Sequence, residues 1–216
     1  MPPDIIIRPY EPQDRPAVRR IACETAFRDD APRQAILYDD EILADALIRY
    51  FIDYEPTSCF VAVAGDKVVG YIIGTLDCRA MEETTFSEII PALLARALWR
   101  GVFFRPSAVR FFFNVAVSFL KGEFRSPDFS HDYPAMLHIN IDKNFRACGV
   151  GSRLIARFIA FLQEKKSKGV HFGTLSERAA KFFAANGFVK LHTSRRSYLR
   201  YYLRRDLPYY VFGMKI

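Results

Sequence analysis

The chain has 216 residues, and its 31 Lys and Arg against 24 Asp and Glu give a formal charge of +7. Half of the residues are hydrophobic and 15% are aromatic, which excludes a disordered or fibrous protein and favours a single globular domain over residues 1–216. The four cysteines are widely spaced and share no metal-ligand spacing. We therefore expect no metal site and no dense disulfide framework, and we expect a reducing, cytoplasmic location.

The first third of the chain predicts a strand, two helices and a hairpin. The strand is Ile5–Ile7, and Asp14 is a plausible N-cap for the helix that follows. A second helix is predicted over Asp40–Tyr54, where apolar residues repeat at intervals of three and four. The clearest hairpin consists of Cys59–Ala64 and Val68–Thr75, joined by a Gly-Asp-Lys turn.

Residues 78–132 form a Phe-rich insertion, with predicted helices at Phe86–Leu98 and Ser107–Leu120. Its most hydrophobic stretch is interrupted by arginines and a proline and is shorter than the roughly 20 apolar residues that cross a bilayer, so no membrane span is expected. Four uses of this insertion remain open. They are local packing, an oligomer interface such as a homodimer, a lid over an acceptor pocket, and contact with a membrane surface.

After the insertion, the sequence alternates between strands and helices. A strand over Pro134–Asp142 leads through a loop into a helix, and a further strand is predicted at Val170–Leu175. Ser176 is a plausible N-cap for a short helix that ends at Asn186, and Tyr209–Lys215 closes the chain as a strand. This order predicts an α/β domain with a mixed central sheet flanked by helices.

The loop between the predicted central strand and its helix carries the pattern R-A-C-G-V-G-S over Arg146–Ser152. Glycines allow the backbone to approach a ligand closely, and a helix N-terminus offers unpaired N–H groups and a partial positive charge suited to phosphate. The pattern by itself is equally typical of a structural turn. It also lacks the third glycine and the following acidic residue of a dinucleotide-binding fingerprint.

The run I-N-I-D-K-N-F-R-A-C-G-V-G over Ile139–Gly151, together with S-E-R-A-A-K-F-F-A-A-N-G-F over Ser176–Phe188, resembles the GCN5-related N-acetyltransferase (GNAT) superfamily. The resemblance is most specific over residues 134–190. It implies the GNAT-like acyl-CoA N-acyltransferase fold, with the insertion before its central strand, and acetyl-CoA as the acyl-donor cosubstrate. By the same resemblance, the cofactor-binding residues are Ile139, Ile141, Arg146, Ala147, Cys148, Gly149, Val150, Gly151, Ser152, Ser176 and Phe183.

One position departs from the family pattern. The short helix of the family commonly carries a tyrosine that acts as general acid toward the cofactor sulfur, and Phe183 occupies that position here. A phenyl ring cannot donate a proton, so water or another hydroxyl, such as that of Tyr198 or Tyr133, would have to replace it. His138 is the best candidate for the catalytic base, and a structural histidine is the competing interpretation.

Two functions therefore follow from the sequence. The first is an acetyl-CoA-dependent N-acetyltransferase that acts on an amine of a small molecule or protein; the alternative is a catalytically reduced acetyl-CoA-binding or protein-interaction domain. Residues 146–216 hold 15 Lys and Arg against 3 Asp and Glu, a balance of +12 on the portion with the predicted phosphate loop. Arginine and tyrosine also alternate over Ser194–Arg205, but no nucleic-acid motif accompanies them, so nucleic acid is not an expected partner.

Overall fold

A computed structural model describes residues 5–26 and 39–216. Its strands are β1 (Ile5–Pro9), β2 (Phe60–Ala64), β3 (Lys67–Thr75), β4 (Ala135–Ile141), β5 (Gly169–Thr174), β6 (Val189–Arg196) and β7 (Leu207–Lys215). They form one sheet in the order β1-β2-β3-β4-β5-β7-β6, in which only the pair β4 and β5 is parallel. The predicted mixed sheet is confirmed.

Eight α-helices accompany this sheet within the described ranges. They are α1 (Arg15–Ala26), α2 (Asp40–Tyr54), α3 (Cys78–Thr84), α4 (Ile90–Trp99), α5 (Pro106–Leu120), α6 (Val150–Glu164), α7 (Glu177–Ala185) and α8 (Arg200–Leu203). A π-helical turn at Thr85–Ile89 joins α3 to α4. The insertion is therefore helical, as predicted, but its first helix begins at Cys78, because the Asp77 carboxylate accepts the N–H groups of Arg79 and Ala80.

The two faces of the sheet are covered by different helices. On one face, Leu154, Phe158 and Leu162 of α6 are buried against β1–β5, and Phe183 of α7 joins the same cluster. On the other face, the cores of α1 and α2 pack against Tyr71 and its neighbours on β3. Side chains alternate along a strand, so β2 and β3 contribute to both cores.

The insertion lies on the face covered by α1 and α2. Arg96 of α4 donates to the buried Asp45 of α2 at 2.5 Å, and Arg19 of α1 pairs with the same carboxylate. At the far end of the insertion, the Glu123 carboxylate accepts from Ser118 Oγ, Ser197 Oγ and Ser197 N, at 2.5–2.6 Å. Polar contacts thus attach both ends of the insertion to the domain.

The predicted role of Asp14 is wrong. Asp14 does not cap α1; its carboxylate accepts the N–H of Glu11 at 2.9 Å and two bonds from Arg8 at 2.7 Å. These bonds close a short 3-10 turn, Pro12–Asp14, that precedes α1. An aspartate just before a helix can close a preceding turn as readily as it caps the helix, and the guanidinium of Arg8 selects the turn here.

Candidate functional site

The sheet opens between its only two parallel strands. The register of β4 with β5 contains two pairs, Ala135 with Val170 and Met136 with His171. Beyond them, β4 stays paired with β3 as far as Ile141, while β5 stays paired with β7 as far as Thr174. The two half-sheets therefore diverge, and the edge of β4 from residue 137 onward faces a gap with backbone groups that β5 does not pair.

The gap ends at the loop that leads into α6. Gly149 is the N-cap of α6 with φ +74°, and among the described residues no side chain caps this helix. The first N–H groups of α6 are thus left without the side-chain partner that most helices have. Ala147 also adopts a positive φ, +64°, and no heavy atom lies within 4 Å of the point where a Cβ on Gly149 would sit. The loop therefore presents strained backbone to open space, an arrangement that suits an anion.

Gly151 has a different reason to be glycine. A Cβ there would lie 2.8 Å from Cζ of Phe182 and 3.0 Å from Cδ1 of Ile141. The ring of Phe182 on α7 therefore rests on the first turn of α6, beside the end of β4. Phe182 is not among the predicted site residues. The sequence signal that could have indicated it is its place directly before Phe183, the position of the family's tyrosine.

Two charged side chains fix the start of this loop. The Asp142 carboxylate accepts the N–H of Asn144 at 3.0 Å, and this bond, with Lys67 and Arg20 nearby, holds the pKa of Asp142 below its ordinary value. Arg146 donates from Nε to the carbonyl of Ile141 at 3.2 Å, across the end of β4. Asp142 therefore caps the turn that begins this loop.

His138 lies on the opposite face of β4 from Ile139 and Ile141, because side chains alternate along a strand. Asn140 donates from Nδ2 to Tyr71 Oη at 2.8 Å and lies 3.1 Å from His138 Nε2. Because an amide nitrogen only donates, Nε2 of His138 must accept, which leaves the proton on Nδ1. That Nδ1 is enclosed and has no partner within the described part of the chain.

Burial also sets the charge of His138. It lowers the pKa of this imidazole to about 4, so the ring is neutral at physiological pH. An unpartnered buried N–H donor costs free energy unless a ligand satisfies it. The site therefore holds a donor on the face of the sheet that α1 and α2 cover. Asn140 and Tyr71, which orient it, were not predicted, although the alternation of the strand placed Asn140 on the same face.

The remaining predicted site residues lie on or beside α7. Ser176 caps α7 by accepting the N–H of Ala179 at 3.3 Å, as predicted. Phe183 is buried among the rings of Phe172, Phe188 and Phe212, with the Phe172 centroid 4.2 Å away. Phe183 therefore belongs to the core behind the gap.

The Arg-Tyr segment near the C-terminus is largely committed to internal contacts. Arg196 is buried, with its guanidinium carbon 4.1 Å from the ring centroid of Tyr209 and 5.2 Å from that of Phe124. Arg200 forms two hydrogen bonds with the carboxylate of Asp206. These contacts give the alternating pattern a structural explanation.

The sequence matches the family model described as Acetyltransferase (GNAT) family over residues 17–188, which is more than three quarters of the chain. The chain belongs to the GNAT acetyltransferase family. The gap between β4 and β5 and the uncapped start of α6 thus belong to a GNAT domain. No curated protein matches the sequence.

Solved structures of similar fold cover nearly the whole chain. One titled SsHAT shares 22% identity with a TM-score of 0.69, covering 99% of this chain and 98% of its own. A ribosomal-protein-alanine N-acetyltransferase from Brucella melitensis shares 18% identity with a TM-score of 0.58, covering 98% and 99%. Ard1 from Thermoplasma volcanium shares 19% identity with a TM-score of 0.55, covering 98% and 97%. At these identities, the likeness establishes the fold.

The structure thus gathers most of the predicted residues of this GNAT domain around the open end of one gap. Ile141 and the loop of residues 146–152 lie together there, and Phe182 packs against them. His138 faces the other side of β4, and Phe183 lies in the core. The roles assigned to these side chains stay predictions.

Proposed function

We propose that this chain transfers the acetyl group of acetyl-CoA to an amine. The observation that carries the proposal is the gap between β4 and β5, which opens after two residue pairs and ends at the uncapped N-terminus of α6. An elongated ligand with a phosphate at one end fits a gap in a sheet that ends at a helix N-terminus. Family membership supports the same ligand.

In this proposal, the loop holds the pyrophosphate and β4 holds the arm. Residues 146–152 direct N–H groups of the loop and the first turn of α6 at the phosphates, and Gly149 leaves the approach open. The unpaired edge of β4 at Ile139 and Ile141 offers hydrogen bonds to the amides of the pantetheine arm. Acetyl-CoA, when bound, supplies an activated thioester carbonyl.

The amine acceptor would approach from the face that carries His138. A neutral His138 with a pKa of about 4 is too weakly basic to take a proton from an ammonium of pKa near 10. Its partnerless Nδ1–H is instead suited to donate a hydrogen bond, to the reacting carbonyl or to a water that removes the amine proton. His138 thus acts in this proposal as a neutral donor beside the reaction.

A catalytically reduced acetyl-CoA-binding domain is the second candidate. The observation in its favour concerns the hydroxyl groups that could protonate the departing thiolate. Phe183 has no hydroxyl, and Tyr198 is enclosed with Phe111 and Phe124, where burial raises its pKa. Tyr133 lies at the closed end of the seam, where its ring packs against Gly169. Protonation of a departing thiolate would therefore depend on water.

Two measurements separate these candidates. Calorimetry with acetyl-CoA tests binding, and release of free CoA thiol with a panel of primary amines tests transfer. Binding together with thiol release supports the transferase, whereas binding without release for any amine supports the reduced domain. Absence of binding contradicts both.

A matched pair of glycine variants tests the loop assignment. Gly149→Ala and Gly65→Ala both place a Cβ on a residue with positive φ and open space, so both impose similar strain. Only Gly149 lies where the phosphates would approach. We expect Gly149→Ala to weaken acetyl-CoA binding by about tenfold or more, with Gly65→Ala close to the parent protein, because the added carbon separates the N–H donors from the anion. Equal affinities would contradict the assignment.

A further inference from the structure

The helices of the insertion turn apolar residues outward. Among the described residues, 14 large hydrophobic side chains are exposed, and 11 of them lie between Phe86 and Phe124. The most exposed are Trp99 at 91%, Leu120 at 85% and Phe104 at 81%. Single exposed apolar residues are ordinary, whereas a cluster of this size on one segment indicates a contact surface.

The exposed residues follow the helical repeat. On α5, the outward positions are Val109, Phe112, Phe113, Ala116, Phe119 and Leu120. Their spacing of three and four places them along one stripe, and the inward side of α5 contains the buried Ala108 and Ser118. On α4, the outward positions Leu94 and Leu98 form a similar stripe that ends at Trp99. Both helices therefore present to solvent the apolar face that surface helices usually bury.

The two stripes lie on neighbouring helices that pack against each other. Val102, between α4 and α5, is buried together with Ala97 of α4 and Ala108 of α5. The ring of Phe103 in the same connection lies 5.4 Å from the ring of Phe112 on α5. We call the exposed stripes of α4 and α5, with Phe104 between them, the insertion face.

The charge of this segment has one sign. Residues 89–122 contain five Lys and Arg and no Asp or Glu, and two of these cations, Arg96 and Arg100, pair with Asp45 and Asp39 outside the segment. Lys121, at the C-terminal end of α5, lines a cleft with Arg200 and Arg204 of the α8 region. Arg110 also stands on α5, with its guanidinium carbon 4.7 Å from the ring centroid of Tyr201. Exposed Phe, Leu and Trp bordered by cations are the composition of helices that lie in the interface of an anionic membrane.

We propose that the insertion face docks on the surface of a bilayer that contains anionic lipid. Within the described residues, no helix has both the length and the apolar character needed to cross a bilayer, so the contact is peripheral. A second copy of the chain fits less well, because a two-fold contact would set the same cationic segment against itself.

This docking would place the open seam near the membrane. On its inner side, α5 contributes Phe111 to a cluster with Leu175 and Tyr198, and Leu175 follows directly after β5. The insertion face and the end of β5 are thus joined through one layer of side chains. The docking proposal does not depend on acetyl transfer, because it rests on the outward residues of α4 and α5.

Trp99 offers a direct test, because it is the only tryptophan of the chain. The full chain is titrated with vesicles of phosphatidylcholine alone and with vesicles that also contain about 30% phosphatidylserine. This anionic content attracts basic protein surfaces. We expect Trp99 emission to shift to the blue and to be quenched by brominated acyl chains only with the anionic vesicles, with the effect reduced by salt. Unchanged emission with anionic vesicles overturns the proposal.

Sedimentation with vesicles then assigns the contact to the insertion face. Phe113→Ser on α5 is compared with Val189→Ser on β6, since both side chains are more than half exposed. Lys121→Glu is compared with Lys168→Glu, an exposed lysine between α6 and β5. We expect roughly fivefold weaker binding or more for Phe113→Ser on the insertion face and for Lys121→Glu beside it, and little change for the two controls.

Equal loss in a variant and its control overturns the assignment. A blue shift that grows with protein concentration in the absence of lipid would show that a second copy covers the insertion face, and would also overturn the proposal. The two charge variants keep the test valid if a serine variant folds poorly. Failure of this test leaves acetyl-CoA binding and thiol release unaffected, so the two proposals are separately falsifiable.

Discussion

Helices α5 and α6 are each 15 residues long and rich in apolar residues, yet the apolar side of α6 is buried and that of α5 is exposed to solvent. Seven residues of α6 are buried, six of them in the main core, whereas α5 buries only two residues. The covering of α6 comes from the sheet itself, because β1–β4 present an apolar face along its whole length. An amphipathic pattern thus shows that a helix has an apolar side, but what covers that side depends on the rest of the molecule.

Matched phenylalanine deletions test this contrast most strongly. Phe158→Ala on α6 removes a fully buried ring, and we expect it to lower the free energy of unfolding by about 3–5 kcal/mol. Phe113→Ala on α5 removes an exposed ring, and we expect a change within about 0.5 kcal/mol. Urea denaturation of both variants measures the difference. Equal losses would mean that α5 packs against the protein in solution.

The next largest effect is the pH dependence of stability that arises from His138, on the face of β4 toward α1. His138 has a pKa of about 4 in the folded chain, against an ordinary value near 6.5 when unfolded. As the pH falls from 6.5 to 4, the unfolded chain takes up a proton that the folded chain does not, so stability is complete above pH 6.5 and declines below it.

We expect the parent protein to lose on the order of 2 kcal/mol across that window through His138, less than the full pKa shift implies, because part of the residue is accessible to solvent although its Nδ1 is enclosed. His138→Gln should remove this part of the pH dependence. His131→Gln, in an exposed loop, is the control and should leave the dependence as it is in the parent. Unfolding curves at several pH values give the result, and an unaltered slope for His138→Gln would contradict the burial of this ring as its cause.

A smaller effect tests how the insertion is attached. Glu123 accepts three hydrogen bonds from Ser118 and Ser197, and these bonds lower its pKa although burial opposes them. We expect Glu123→Gln to cost about 1–2 kcal/mol of stability, because an amide accepts through only one oxygen. The stabilisation in the parent is present above the ordinary pKa of a glutamate and is lost as the pH falls through the lowered value.

Glu164→Gln, at the exposed end of α6, is the control for this change. Thermal unfolding at neutral pH compares the two variants. If Glu123→Gln unfolds like the control, the polar attachment of the insertion contributes nothing measurable.

The smallest expected effect is the loss of stability when the N-cap of α7 is removed. Ser176 caps α7, whereas no described side chain caps α6. We expect Ser176→Ala to lower stability by about 1 kcal/mol in urea denaturation, and the exposed Ser126→Ala to have little effect. A Ser176→Ala variant as stable as Ser126→Ala would show that the hydroxyl does not support α7.

The order of strands and helices could be predicted because each depends on local patterns. The hairpin of β2 and β3 has a turn signal between two β-branched runs, and α6 has an apolar repeat that begins at Val150. Asp77 and Asp14 show the limit of such signals. Both are acidic residues near a helix start, yet Asp77 caps its helix and Asp14 pairs with Arg8 instead.

The site could be predicted only in part for the same reason. The loop at Gly149 has a sequence pattern, and the alternation of β4 placed His138 opposite Ile139. The length of the seam between β4 and β5 and the partnerless Nδ1 of His138 depend on how distant strands and helices pack. No local pattern encodes such three-dimensional coincidences.

The short seam also has a mechanical consequence. Only two residue pairs form the backbone ladder between the two halves of the sheet, and the core under α6 and α7 supplies the rest of their connection. A molecule lying between β4 and β5 would supply the hydrogen-bond partners that β5 does not give to β4, and it would make this part of the sheet more rigid. Since such a ligand binds only the folded chain, its affinity would appear as resistance to heat. Amide exchange along the free edge of β4 would slow at the same time. Such slowing would mean that the ligand takes part in the hydrogen bonding of the sheet.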